Sequence, residues 1–176
     1  MVVVRIFISV FVIYCALFMS VKDSIVVFEG FQAQPSFIAK EMTVVPYDYS
    51  ANYQHFMFNP PENLILSPRD QRSVAYCENL NGLTLTDDCY LPYEMIGYIL
   101  AKLSNSTIYT AGHQARDLLK YYLPYTTVID VCSNYGFKYP LQLESVKCFK
   151  QHSARYCSLS KAFTLKARLH TLGVFQ

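Results

Sequence analysis

Three strand-like runs joined by short polar turns fill the first sixty residues, and nothing else in the chain constrains its fold as much. Residues 24–31 are β-branched and aromatic with almost no polar alternation, the pattern of a strand buried on both faces. Such a strand belongs at the centre of a sheet. Residues 32–36 form a polar turn around Pro35, and residues 37–45 read as a second strand with Ile38, Met42 and Val44 among polar neighbours. After a turn at 46–50, Tyr53, His55 and Met57 alternate with Gln54, Phe56 and Phe58 through a third strand, which Pro60-Pro61 ends. The simplest pairing for three strands linked this way is an antiparallel meander.

Helical signals follow. Ser67-Pro68-Arg-Asp70 supplies an N-cap, a proline in the first turn and an acid near the dipole's positive end, so a helix should run to about Asn79 and close at Asn81-Gly82. Pro92 should open a second helix, in which Met95, Ile96, Ile99, Leu100 and Leu103 share one face. Residues 107–111 read as a strand, 113–123 as a helix after Gly112, and 126–131 as a fifth strand. A loop at 133–140, a short helix at 142–151 and a last helix at 154–172 capped by Gly173 complete the order β-β-β-α-α-β-α-β-α-α. Meander strands followed by strands alternating with helices predict an α/β fold, a mixed five-stranded sheet flanked by helices.

Residues 23–176 suffice for a single domain with a substantial core. Residues 1–22 stand apart: positions 6–19 carry no charge and are preceded by Arg5, as in a secretory signal. Small residues at the cleavage positions are missing, since Ser20 would be preceded by Phe18 two places earlier, and the apolar stretch approaches the ~20 residues that span a bilayer. We therefore expect a signal peptide or signal-anchor, a separate apolar helix over residues 1–20 that contacts membrane. Localisation would be membrane or secretory if the segment acts as a signal, and intracellular otherwise. Asn105-Ser-Thr107 is a glycosylation sequon that matters only in a secretory lumen, where Cys77 and Cys89 would be the expected disulfide. The net charge of +2 supplies no basic field for nucleic acid, and the five cysteines after Cys15 do not make a complete disulfide set.

Four segments carry a resemblance. Phe28-Glu29-Gly30-Phe31, Phe37-Ile38-Ala39-Lys40-Glu41, the run Phe56-Met-Phe-Asn-Pro-Pro61 and Cys148-Phe-Lys-Gln-His152 occur in the order found in degenerate members of the DEDDh 3′–5′ exonuclease superfamily, a ribonuclease-H-like group, from invertebrate viruses and mobile elements. The similarity covers about residues 24–172. It implies a ribonuclease-H-like sheet and a site that, in active members, holds two divalent cations on four carboxylates. By position, Glu29 matches the second acid of the first motif, with Val27 where its aspartate belongs. Asp117, after Gly112 and near the start of a helix, matches the middle motif. His152 matches the histidine of the last motif, with Cys157 where its aspartate belongs.

Valine binds no metal, and a thiolate suits magnesium poorly. The resemblance thus implies a non-catalytic or weakly active protein with Glu29, Asp117 and His152 as a vestigial site, and single-stranded nucleic acid as a candidate partner through aromatic stacking. No cofactor is expected, or magnesium or manganese if an active metal-dependent 3′–5′ exonuclease survives. A separate reading of Cys148, His152 and Cys157 with Cys132 is a zinc set. A membrane-anchored or secreted protein-interaction module is the alternative of a different class.

Overall fold

The computed structural model describes residues 23–33, 37–48, 52–86, 91–143, 146, 148 and 154–175. The sheet has five strands: β1 (Asp23–Gln32), β2 (Phe37–Pro46), β3 (Gln54–Met57), β4 (Thr107–Thr110) and β5 (Val128–Asp130). Their order across the sheet is β3-β2-β1-β4-β5. β1 and β2 pair antiparallel, as do β2 and β3, whereas β4 runs parallel to β1 and β5 parallel to β4. The expected mixed sheet with its antiparallel meander and central first strand is therefore the architecture found.

Among the described residues five helices accompany it: α1 (Pro68–Asn81), α2 (Met95–Ala101), α3 (His113–Tyr122), α4 (Val131–Tyr135) and α5 (Ser158–Thr171). Alternate side chains of β1 serve opposite faces, as the two-residue period of a strand requires. Val26 and Phe28 pack with Ile96, Leu100 and Leu119 of α2 and α3. Ile25 and Val27 pack with Val131, Ala162, Leu165 and Leu169 of α4 and α5. A third cluster at the far end of β1 joins Phe31 and Ile38 to Val74 of α1 and to Leu83 and Leu85.

The start of α1 follows the expected chemistry: the Ser67 hydroxyl accepts from the Asp70 N–H, Pro68 occupies the first turn, and Gly82 closes the helix at φ 71°. Other boundaries differ. α2 begins at Met95 because Pro92 and Tyr93 lead in through turns. The fifth strand stops at Asp130, whose side chain accepts from the Cys132 N–H and the Ser133 hydroxyl and so starts α4 where a strand end and loop were expected. No helix occupies the described residues among 142–151, and a 3₁₀ turn (Ala154–Tyr156) precedes α5. The expected helix over residues 1–20 lies outside the described residues. Among the described residues no helix is long and apolar enough to cross a membrane.

One irregularity positions the site. The β1–β2 register slips between Glu29 and Gly30, so that Glu29 pairs with Glu41 but Gly30 with Ala39, leaving Lys40 as the extra residue of a bulge. A Cβ on Gly30 would stand 2.0 Å from the Ile38 carbonyl oxygen, so only glycine fits there. The extra Lys40 side chain is buried, and its Nζ donates to the Leu85 carbonyl at 2.9 Å.

Candidate functional site

Directly opposed residues of an antiparallel pair project to the same face. Pairing of Glu29 with Glu41 and of Val27 with Thr43 therefore aligns two carboxylates and a hydroxyl beneath α5. His55 of β3 pairs with Thr43 and joins the row. The approach of α5 closes the site from above: its first backbone N–H, at Ser158, donates to Glu41 Oε2 at 2.7 Å. The helix's positive end thereby faces a wholly buried carboxylate.

Around the other oxygen of Glu41 stand three more groups. Cys148 Sγ lies 3.3 Å and Cys157 Sγ 3.9 Å from Oε1, and His55 Nε2 lies 3.1 Å from it. Cys148 Sγ is also 3.2 Å from His55 Nε2. The far nitrogen of the imidazole, Nδ1, is 2.8 Å from Thr43 Oγ1, which in turn is 2.7 Å from Ser158 Oγ. A hydroxyl chain thus orients the ring so that Nε2 faces the thiols and carboxylate. Ligand atoms of Glu41, Cys148 and Cys157 all lie within 4.8 Å of one another, the one such group among the described residues.

Glu29 borders this cluster but has a different partner. Its carboxylate forms an ion pair with Lys161 of α5, and both side chains are mostly buried. The Lys161 ammonium also lies 5.4 Å from the Tyr139 ring centroid and 5.9 Å from that of Tyr156. Burial pushes the Glu29 carboxyl up to about 7; Lys161 pulls the other way without overcoming it, and Glu41 and Cys157 add to the rise. Burial also pushes the Tyr139 phenol well above its usual range, and its hydroxyl has no hydrogen-bond partner among the described residues.

A cleft of about 400 Å³ opens beside Glu29 and Lys161 at the C-terminal ends of β1 and β4. Gln32, Phe37, Cys77, His113, Gln114 and Tyr156 line it. No protein-family model matches the chain, and no curated protein matches it.

Two of the sequence-derived site residues do not join this arrangement as drawn. Asp117 is 62% exposed and its carboxylate accepts from the guanidinium of its neighbour Arg116, so it is a surface acid of α3 outside the lining of the cleft. Cys132 belongs to the first turn of α4, held by its N–H to Asp130, and stands outside the ligand group, where Glu41 appears instead. His152 lies outside the described residues, as does Cys89 of the expected Cys77–Cys89 pair. Val27, at the position of the superfamily's first acid, is 3% exposed and belongs to the core.

Glu41, His55 and Lys161 were not singled out in the sequence. A signal existed for Glu41: Lys40-Glu41 places two charges inside a strand whose other members are largely apolar, and a buried charge needs a partner. His55 and Lys161 looked like alternating polar positions of a strand and a helix.

Proposed function

We propose that the chain is a ribonuclease-H-like relative of the DEDDh exonucleases that has lost hydrolytic chemistry and acts by binding. The strand order β3-β2-β1-β4-β5, with β4 and β5 parallel to β1 and the first three strands antiparallel, supports the fold reading. The observation that carries the loss of activity is the Glu29–Lys161 ion pair. An ammonium fixed on that carboxylate neutralises the charge a divalent cation would need. With Val27 in the core and Asp117 at the surface, the residues do not fit a two-cation carboxylate centre.

The neighbouring cluster fits one borderline-soft ion instead. Ligands at zinc distances with tetrahedral angles stand about 3.3–3.8 Å apart. Glu41, Cys148 and Cys157 keep their ligand atoms within 4.8 Å of one another, with Glu41 3.3 Å from Cys148 and 3.9 Å from Cys157; His55, 3.1 Å from Glu41 and 3.2 Å from Cys148, stands at the edge of this three-ligand group. Ser158 N–H on the carboxylate and Thr43 on the imidazole are the outer hydrogen bonds such ligands use to hold orientation. A zinc ion there would tie β2 and β3 to the segment before α5, a structural role. The ligand of the cleft, on this reading, is single-stranded nucleic acid, for which Tyr156 and Phe37 offer stacking surface and the Gln32 and Gln114 amides offer hydrogen bonds.

Labelled single-stranded RNA and DNA, incubated with the protein and Mn²⁺, should be retained in a gel shift and not shortened. Shortening abolished by Glu29→Gln would overturn the non-catalytic reading. Metal analysis of the protein as purified should find one zinc per chain, lost in Cys148→Ser and Cys157→Ser; a metal-free protein with unchanged stability would remove the zinc.

A further inference from the structure

The thiols of Cys148 and Cys157 share one acceptor. Their Sγ atoms lie 3.3 and 3.9 Å from the same Glu41 oxygen, and the three ligand atoms all lie within 4.8 Å of one another. A disulfide holds its sulfurs about 2.0 Å apart, and one change of χ1 rotamer carries a cysteine Sγ by roughly 3 Å, so side-chain rotation can close the gap.

The two positions differ in access. Cys148 is half-buried, so a small solute reaches its sulfur, whereas Cys157 is 2% exposed and sheltered from solvent. That is the division between an attacking thiol and the partner that resolves it. Cys157 stands at the N-cap of α5, but its side chain makes no cap hydrogen bond, so the helix loses no cap when that sulfur turns. Glu41 keeps the Ser158 N–H and His55 when the thiols leave it. Two further thiols pack elsewhere: Cys77 of α1 against the cluster around Phe31, and Cys132 of α4 against the one around Ile25 and Val27.

We propose that Cys148 and Cys157 are an oxidation site for a small hydroperoxide, which joins them in a disulfide and displaces the zinc assigned to the cluster. The bond needs only the two thiols; the release of an ion rests on the zinc reading above. With hydrogen peroxide, the Cys148 sulfur first attacks one oxygen, the O–O bond breaks, and the thiol proton leaves with the other oxygen as water. Cys148 is then a sulfenic acid. The Cys157 sulfur next attacks the Cys148 sulfur, the S–O bond breaks, the S–S bond forms, and the hydroxyl leaves with the Cys157 proton as a second water. Two electrons pass from the thiol pair to the peroxide. Where zinc holds both sulfurs as thiolates, two solvent protons replace the thiol protons, and the ion departs because a disulfide is no thiolate ligand.

The full chain as purified would be treated with hydrogen peroxide, quenched with catalase, alkylated in denaturant and digested for mass spectrometry, while a chromogenic chelator follows zinc released to solution. The expected result is a linked Cys148–Cys157 peptide pair that forms several-fold faster than alkylation is lost at Cys77 or Cys132, reverses with dithiothreitol, and is matched mole for mole by released zinc. Cys132→Ser should leave the rate of bond formation unchanged, whereas Cys157→Ser should let Cys148 accumulate as sulfenic acid, trapped by dimedone. The same bond formed by a protein purified without zinc would support the oxidation site and sink the zinc reading alone. Cys148 and Cys157 both still alkylated after Cys77 and Cys132 have reacted, or either of them paired with a different cysteine, would overturn the proposal and leave zinc binding standing.

Discussion

Replacing Glu29 by glutamine should remove a specific pH dependence from the stability of the protein. The Glu29 carboxyl is raised from 4.5 to about 7, chiefly because burial opposes its charge. A carboxyl that binds its proton more tightly in the fold than in the unfolded chain stabilises the fold most at low pH. Its contribution is fully present below pH 4.5 and is lost as the pH rises through about 7. The displacement corresponds to on the order of 3 kcal/mol, with a slope of up to about 1.4 kcal/mol per pH unit inside that window. Glu29→Gln cannot ionise, so its profile should lack this slope. The variant also leaves the mostly buried Lys161 side chain without its ion-pair partner, which lowers the variant's stability. The difference in unfolding free energy between the two proteins should therefore shift by on the order of 3 kcal/mol from about pH 4.5 to about pH 8, wild type losing ground as pH rises. Urea melts at steps across that interval measure it, with the carboxyl titration followed by NMR as a direct check. Parallel stability profiles would show that Glu29 titrates normally and that burial does not govern it.

Further outcomes follow from the same contacts. Gly30→Ala drives a Cβ into the Ile38 carbonyl at the β1–β2 bulge, and should cost about 2 kcal/mol or more in denaturant melts. Ser67→Ala removes the cap on the Asp70 N–H and should lower stability by about 1 kcal/mol, with no effect on ligand or metal binding. Glu41→Gln keeps the shape but takes the charge from the bond to Ser158 N–H and from the thiol–imidazole cluster; we expect zinc to be lost and stability to fall by about 3 kcal/mol. A strong zinc chelator should lower the wild-type melting temperature and leave that of Glu41→Gln unchanged.

Local chemistry made much of the architecture legible in the sequence. Residues 24–31 are apolar at both alternating positions, which only a central strand satisfies, and β1 is central. Ser67-Pro68-Arg-Asp70 starts a helix because the hydroxyl, the fixed proline φ and the first-turn acid act within four residues. Residues 131–135 do not read as a helix because Val131 and Cys132 resemble a strand's end, and the deciding interaction is a side-chain cap from Asp130 to the Cys132 N–H.

The site divides along the same line. Glu29 and Cys157 were marked as individual positions by their motifs, and Cys148 by its spacing. Their partners depend on pairings between distant segments: Glu29 meets Glu41 through strand register, Thr43 meets His55 on the next strand, and Lys161 reaches Glu29 across 132 positions of sequence. Alternation within a strand tells which residues share a face but not which residue of another strand stands opposite, since a slip of one residue exchanges every partner. The bulge at Gly30 makes that choice here, returning Glu29 and Glu41 to one row, and the docking of α5 then determines which cation and which thiols they meet. The sequence alone thus determined the strands, the helix starts and the presence of an acid at the end of β1. The tertiary structure decided that this acid is held by a lysine, because only chain segments brought together by folding can remove both charges from water.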